Sequence, residues 1–339
     1  MTAGELPAGR ISGNGDMPML KYLVKRFFQT AVVLFVVSVI VFCVMSFTGD
    51  PVLMIVPPNA TDAQIAEARI ALGLDQPLWV QYKVFLFNLL KGDLGISYIF
   101  KRPALTLIVE RMPATLELVF LSVLISVAVA LPCGVFAGAW PNNPISRAIM
   151  GGSLLGISLP SFWVGILMIF YFAVEKGLLP SSGRGTTDTL FGIPFAFLTR
   201  DGFRHLILPA VTLALGTLAM LIRLIRAQIM EVLRQDFIKF ARAKGVSWKS
   251  LLFGHALKNA LVPVVTVFGM QIGSLIAFAT VTETIFAWPG MGKLLVDSIN
   301  TSDRPVIVAY LMIVAAMFVF INFIVDIVYT LIDPRIDLR

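Results

Sequence analysis

Histidine, cysteine and charged residues are scarce in this chain, and each shortage excludes a class of function. Charged residues make up 14% of the 339 residues, and there are two cysteines and two histidines. Cys43 and Cys133 both fall inside long apolar runs, which argues against a disulfide framework or a cysteine-based metal site. His205 and His255 are assigned to opposite sides of a membrane by the topology below. We therefore expect no metal, no cofactor and no catalytic activity in this chain.

Hydrophobic residues are abundant instead, at 58% with a mean hydropathy of +0.87. A soluble domain has about 25% charged residues, so the composition is that of an integral membrane protein. The net charge of +7 could suggest nucleic acid as a partner. However, the basic residues flank apolar runs, which is typical of membrane topology. We expect membrane lipid, and no nucleic acid, around this chain.

Six apolar runs are long enough to cross roughly 30 Å of hydrocarbon at about 1.5 Å per residue. They cover residues 27–47, 114–140, 149–174, 206–225, 260–281 and 306–332. With the N-terminus inside, the inner segments hold 15 basic and 6 acidic residues, and the outer segments hold 12 of each. This asymmetry predicts an all-α membrane protein with six transmembrane helices and both termini in the cytoplasm.

The segments between the runs are unequal. We expect a disordered tail at 1–18, a first transmembrane helix at 19–47, and a long periplasmic segment at 48–113 with a helix near 62–72. The core of the bundle is predicted at 114–332, with an inner loop at 231–259, a little-structured outer loop at 175–205 and a cytoplasmic tail at 333–339. Either Met17 or Met19 could be the natural start.

Small residues four apart within the runs predict close helix packing in lipid. The pairs are Gly134 with Gly138, Gly152 with Gly156, and Gly269 with Gly273. They indicate a helical bundle and carry no information on substrate.

Polar residues within the runs are few. Glu117 lies in the second run, and Asn322 and Asp326 lie four apart in the last, on one helix face. Ionisable residues at membrane depth are functional candidates. Two interpretations stay open: interhelical hydrogen bonding, or a direct part in transport. A stand-alone ion-coupled transporter would need more such groups near the midplane, which weakens that hypothesis. We keep it as the alternative to the function inferred below.

The inner loop is basic and amphipathic. Asp236 can cap a helix on which Phe237, Phe240 and Ala241 form one apolar stripe. Gly245 is a natural end for that helix.

A second helix follows the glycine in this prediction, with Ser247 as its cap. The residues alone leave two interpretations of this surface. It could dock a partner protein, or it could rest on anionic lipid headgroups.

The motifs ARAKG at 241–245 and HALKNALVP at 255–263 resemble the dipeptide/oligopeptide permeases of binding-protein-dependent ABC importers. Further motifs of that family occur in order: MLKY at 19–22, DP at 50–51, GLDQP at 73–77, GDLG at 92–95, RMPATLE at 111–117, PGMG at 289–292 and DPR at 333–335. The loop departs from the general importer motif in having Lys239-Phe240-Ala241 where Glu-Ala-Ala is usual, and Lys258 where proline is usual.

The resemblance implies a type I ABC importer permease fold, with a cytoplasmic coupling helix between the fourth and fifth crossings. By position, 243–248 is the stretch expected to form it. The residues implied to contact an ATPase are Asp236, Ala241, Arg242, Ala243, Lys244, Gly245, Val246, Ser247 and Trp248.

The implied partners are a second homologous permease, two cytoplasmic ATP-binding subunits and a soluble substrate-binding protein, at a bacterial or archaeal cytoplasmic membrane. ATP must be bound elsewhere, because the one phosphate-loop lookalike, AWPGMGKL at 287–294, lacks the first glycine and the final serine or threonine. Peptides, opines, nickel complexes and sugars are all substrates compatible with the resemblance, and the residues that bind substrate stay unassigned.

Overall fold

The computed structural model describes the backbone of residues 17–47, 52, 56, 57 and 59–332. It describes their side chains except at 17–27, 47, 326 and 328–332. Residues 1–16 of the tail predicted at 1–18, and the tail predicted at 333–339, lie outside the described residues. The first helix begins at Met17, two residues before its predicted start at 19.

Helices dominate the described part of the chain. They are α1 (Met17–Phe47), α2 (Asp62–Ala71), α3 (Leu78–Leu90), α4 (Ala104–Ala139), α5 (Pro144–Ser158), α6 (Ser161–Met168), α7 (Arg200–Leu233), α8 (Asp236–Ala243), α9 (Leu257–Ile285), α10 (Met291–Asn300) and α11 (Arg304–Ile332). Two π-helical segments, Ile169–Glu175 and Ser250–Ala256, continue α6 and precede α9. An antiparallel pair, β1 (Asp188–Leu190) and β2 (Ile193–Phe195), lies in the loop before α7.

Five of the described helices are long and apolar enough to cross a membrane. A sixth crossing forms only if Pro144–Ser158 and Ser161–Glu175 are taken together, and these two helices meet at an angle of 105°. The predicted continuous span at 149–174 is therefore wrong. Pro160 has no backbone N–H and disfavours helical geometry at Leu159, which is extended with ψ 131°.

The other crossings extend beyond their apolar runs. Helix α4 begins at Ala104 rather than at 114, and α7 covers Arg200–Leu233 rather than 206–225. Hydropathy marks only the part of a helix that lies in hydrocarbon, whereas backbone hydrogen bonding continues into water.

Outside the crossings, the structure confirms the helix predicted near 62–72. Thr61 and Gln64 form a capping box at its N-terminus. Helices α3 and α10 and the short β1–β2 pair were not predicted.

Glycines bring the crossings together. A Cβ on Gly134 or Gly138 of α4 would lie 2.7 Å from the Cβ of Ile225 or Ile229 on α7. Such distances leave no room for a side chain, so the backbone of α4 packs directly against the isoleucine side chains of α7. Gly269 and Gly273 make the same kind of contact with α11, whereas a Cβ on Gly152 meets no described atom within 4 Å.

We predict that Gly138→Ala destabilises the protein by about 1–3 kcal/mol, because the added methyl group overpacks the contact with Ile229. Gly152→Ala is the matched control on an open face. Thermal unfolding of the two variants in the same detergent tests the difference. Equal melting temperatures would show that α4 and α7 are not in contact at Gly138.

Candidate functional site

The loop between α7 and α9 is a helical hairpin with a glycine at its turn. Gly245 has φ +82°, Gly245 N donates to Arg242 O over 3.0 Å, and Val246 N donates to Ala241 O over 3.2 Å. These two bonds define a Schellman end for α8. The prediction that Gly245 ends the first helix is confirmed.

The second helix of the hairpin begins after Ser247. Ser250 N donates to Ser247 Oγ over 3.4 Å, and Leu251 N donates to Ser247 O over 2.9 Å. Ser247 thus occupies the capping position predicted for it.

The stretch 243–248, by contrast, is not a helix of its own. It forms the turn that joins α8 to the next helical segment. The expectation of a coupling helix confined to 243–248 is therefore wrong. Helix α8 precedes this turn, because the positive φ of Gly245 interrupts the right-handed backbone.

Ile238 anchors α8 to the bundle and is 1% exposed. It belongs to a core cluster with Leu251, Leu252 and residues of α7. Ala241 packs partly against the same cluster, but Phe237 and Phe240 are exposed. The predicted apolar stripe therefore faces away from the bundle at Phe237 and Phe240, because the side of α8 that meets α7 is fixed by tertiary contact.

Cations and aromatic rings are paired at the tip of the hairpin. Arg242 lies 5.3 Å from the ring centroid of Trp248, and the Lys244 ammonium lies 4.5 Å from that of Phe240. Trp248 also approaches Trp140 at the end of α4, with ring centroids 6.3 Å apart. These cation–π contacts hold both basic side chains near the turn.

Asp236 opens α8, as predicted, but it does not cap the helix. Its carboxylate accepts a hydrogen bond of 2.8 Å from Lys239, and the residue at the cap position is Gln235. The hydrogen bond and the charge of Lys239 hold the pKa of the Asp236 carboxyl below its usual range. Asp236 therefore stays ionised at neutral pH.

At the opposite end of the bundle, Glu117 is paired and buried. Arg184 Nε donates to Glu117 Oε1 over 2.7 Å, and Ala196 N donates to Glu117 Oε2 over 2.8 Å. Arg184 also donates to the carbonyl oxygen of Pro194 over 2.8 Å. Glu117 thus ties the loop that carries β1 and β2 to α4.

A second buried carboxylate, Glu283, organises the turn between α9 and α10. Thr115 Oγ1 donates to Glu283 Oε1 over 2.6 Å, and Lys293 N donates to Glu283 Oε2 over 2.9 Å. A Cβ on Gly290 would collide with this carboxylate. Trp288 closes the turn by donating its indole N–H to Ala114 O over 2.8 Å.

A third carboxylate, Asp303, lies just before α11 and is fully buried. It accepts a hydrogen bond from Ser97 Oγ and another from Tyr98 N over 3.0 Å. The segment between α3 and α4 is thereby fixed to the start of the last crossing.

Comparison with known proteins gives two family matches. Residues 130–338 match the family described as "Binding-protein-dependent transport system inner membrane component", and residues 19–119 match the corresponding N-terminal family. The chain belongs to this family of membrane transport components. As a member, it is a multi-pass permease of an ABC importer, and it works with partners that include an ATPase and a substrate-binding protein.

Relatives align with nearly the whole permease. The oligopeptide transport system permease protein AppB of Bacillus subtilis is 38% identical, over 94% of this chain and 100% of the relative. The glutathione transport system permease protein GsiC of Escherichia coli is 40% identical, over 94% and 99%. The di/tripeptide transport system permease protein DppB of Pseudomonas aeruginosa is 39% identical, over 94% and 99%.

Solved structures show the fold of the permease. The MetNI methionine ABC transporter in an inward-facing conformation matches with a TM-score of 0.53 and 18% identity, over 67% of this chain and 96% of that chain. The predicted type I ABC importer permease fold is confirmed, with its third crossing bent.

The structure describes the remaining polar residues that were predicted as candidates only in part. Asn322 is half-buried on α11, and the side chain of Asp326 lies outside the described residues. Within the described residues, no group of three or more His, Cys, Asp or Glu side chains could hold a metal ion. Neither Glu283 nor Asp303 was predicted as a site residue, although Glu283 could have been suspected from its place between an apolar run and a Trp-Pro-Gly turn.

We predict that Gly245→Val loosens the hairpin, because a β-branched residue in the left-handed region costs roughly 1–2 kcal/mol. Gly245→Asn is the control, since asparagine tolerates this backbone conformation. Hydrogen exchange across α8 should be faster in the valine variant and unchanged in the asparagine variant. Equal protection in both variants would contradict the turn geometry.

The pair formed by Glu117 and Arg184 generates a further prediction. Removing either partner by an alanine substitution should cost about 3–5 kcal/mol, because the other charge stays buried without its partner. The double variant should lose less than the sum of the single variants. Thermal unfolding of all three measures this coupling, and strict additivity would rule the pair out as a structural tie.

Proposed function

We propose that this permease forms half of the translocation path of an ATP-driven importer for peptides or similar small solutes. Its relatives are named for oligopeptide, glutathione and di/tripeptide transport, and all three substrates contain peptide bonds. The observation that carries the mechanism is the hairpin between α7 and α9, whose basic and aromatic tip is exposed while its base is buried.

A second homologous permease, making a heterodimer, is the partner we propose within the membrane. The exposed surface of α5 and α6 supports this, because it carries four large apolar side chains: Leu154, Leu155, Phe162 and Trp163. Gly152 lies on the same bent crossing, with open space above it. A partner bundle can approach closely at such a surface.

Two cytoplasmic ATPases, which hydrolyse ATP outside this chain, complete the proposed machine. Phe237 and Phe240 of α8, together with Arg242 and Lys244 at the turn, would enter a groove on one ATPase. Ile238 would keep the hairpin fixed to α7, so that movement of the ATPase reaches the bundle. This coupling requires that the hairpin binds differently in the inward-open and outward-open states.

The proposed topology has both termini in the cytoplasm, residues 48–113 outside, and the core at 114–332. The distribution of basic residues supports it, because they concentrate in the segments on the side of the hairpin. The outer segment would then face the substrate-binding protein.

We place the translocation path beside the bent crossing. A cavity of about 520 Å³ lies beside the break at Pro160, and its polar lining includes Thr217, Gln271 and Ser274. Irregular backbone at membrane depth is tolerated where it lines a cavity, and uncharged polar groups there suit peptide bonds. Glu117 is held by Arg184, which favours a structural role over the ion coupling of a stand-alone transporter.

We predict that Arg242→Glu and Lys244→Glu, in the assembled transporter, reduce substrate uptake at least about tenfold, since a lost charge contact of roughly 1.4 kcal/mol weakens binding by that factor. Arg147→Glu is the matched control, because it makes the same charge change at an exposed arginine in the first turn of α5, away from the hairpin tip. Uptake and ATP hydrolysis should be measured together in proteoliposomes.

The expected result is that ATP hydrolysis persists without responding to substrate in the hairpin variants, and stays coupled in the control. Wild-type uptake in both hairpin variants would refute the proposed coupling surface. Uptake driven by an ion gradient, without ATPases present, would favour the ion-coupled alternative instead.

A further inference from the structure

Helix α3 packs against α1 through one face only. Its Tyr82 ring lies between two rings of α1, with centroid distances of 6.2 Å to Phe35 and 5.3 Å to Phe42. The hydroxyl groups of Tyr82 and Ser38 are 2.9 Å apart, within hydrogen-bonding distance. Phe85 adds a further ring contact with Phe42, at 5.8 Å.

The contact between α3 and α1 falls inside the apolar span of α1. The apolar span of α1 ends at Ser46, and Ser38 precedes that residue by about two helical turns, or about 12 Å. Half of the hydrocarbon layer is about 15 Å thick. Tyr82 therefore reaches α1 below the headgroup level.

The opposite face of α3 is apolar and exposed, and it carries two cations. Trp79, Phe87 and Leu90 are 62%, 59% and 78% exposed. The Lys83 ammonium lies 4.5 Å from the Trp79 ring centroid, and the Lys91 ammonium lies 4.2 Å from that of Phe87. None of the residues described in the structure covers this face.

We propose that α3 is embedded in the outer leaflet of the membrane, with this face bound to phospholipid. Trp79, Phe87 and Leu90 would lie at the boundary between headgroups and acyl chains, where amphipathic aromatic side chains concentrate. Lys83 and Lys91 would extend to lipid phosphates, as long basic side chains do near an interface.

A protein partner suits this surface less well. A soluble binding protein approaches from water and cannot reach a helix that contacts α1 two turns below the end of its span. Assignment to the outer leaflet rests on the proposed topology, whereas the depth of α3 does not. The outer segment of the permease is thereby a membrane-anchored element and not a free extramembrane domain.

The test uses single cysteines on the full chain in a Cys43→Ala, Cys133→Ala background. Trp79→Cys and Phe87→Cys probe the exposed face of α3, and Glu67→Cys on the exposed helix α2 is the control. Each is labelled with an environment-sensitive fluorophore in nanodiscs of phosphatidylethanolamine and phosphatidylglycerol, and is quenched by lipid-attached nitroxide or by aqueous iodide.

We expect nitroxide to quench the labels at 79 and 87 several-fold more strongly than the label at 67, with the reverse order for iodide. With the lysines intact, quenching at 79 should increase with the phosphatidylglycerol content, and Lys83→Gln with Lys91→Gln should abolish this increase. Iodide access at 79 and 87 equal to that at 67 would overturn the proposal, as would protection that appears only after the binding protein or partner permease is added.

Labelling of Glu67→Cys in intact cells with an impermeant maleimide separates this proposal from the proposed topology. If that position is labelled only after the cells are opened, the topology fails and α3 belongs to the inner leaflet. The nitroxide result would still report whether α3 lies in lipid.

Discussion

The close contact of α4 with α7 holds the two ends of this permease in one body. Gly134 and Gly138 remove the side chains that would separate the helices, and Ser122 Oγ of α4 donates to Ala210 O of α7 over 3.0 Å. Helix α4 carries Glu117 on the side of the bundle away from the hairpin, whereas α7 leads directly into α8. A displacement of the hairpin can therefore reach the loops at the opposite end of the bundle through one helix pair.

The hairpin between α7 and α9 combines a fixed base with an exposed tip. Ile238 is buried beside α7, while Phe240, Arg242 and Lys244 remain at the surface around Gly245. The buried contact keeps α8 attached to the bundle, and the left-handed glycine turns the chain back without a side chain at the tip. This division suits a surface that transmits force to and from a partner.

Buried carboxylates fix the loops at the opposite end of the bundle. Glu117, Glu283 and Asp303 each accept hydrogen bonds from backbone N–H groups of a different segment. A buried carboxylate is costly unless it is fully paired, so each tie selects one arrangement of its loop. Helix α3 adds a contact of another kind, in which the Tyr82 ring packs against Phe35 and Phe42 of α1.

Sequence alone determined the all-α membrane class, the five unbroken crossings, the helix–glycine–helix order of the loop between α7 and α9 and the family, because hydropathy, capping and motif order are local properties. Only the tertiary structure showed that Ile238, and not Phe237 or Phe240, faces the bundle, since the direction of a short helix is fixed by the helix it packs on. The bend at Pro160 was also missed, because hydropathy averaged along the run does not register the effect of one proline on the backbone. Glu117 pairs with Arg184, which is 67 residues away in the chain. Glu283 accepts a hydrogen bond from Thr115, 168 residues away, and Asp303 accepts one from Ser97, 206 residues away. Contacts at such separations are set by packing of the whole bundle, and no local pattern records them.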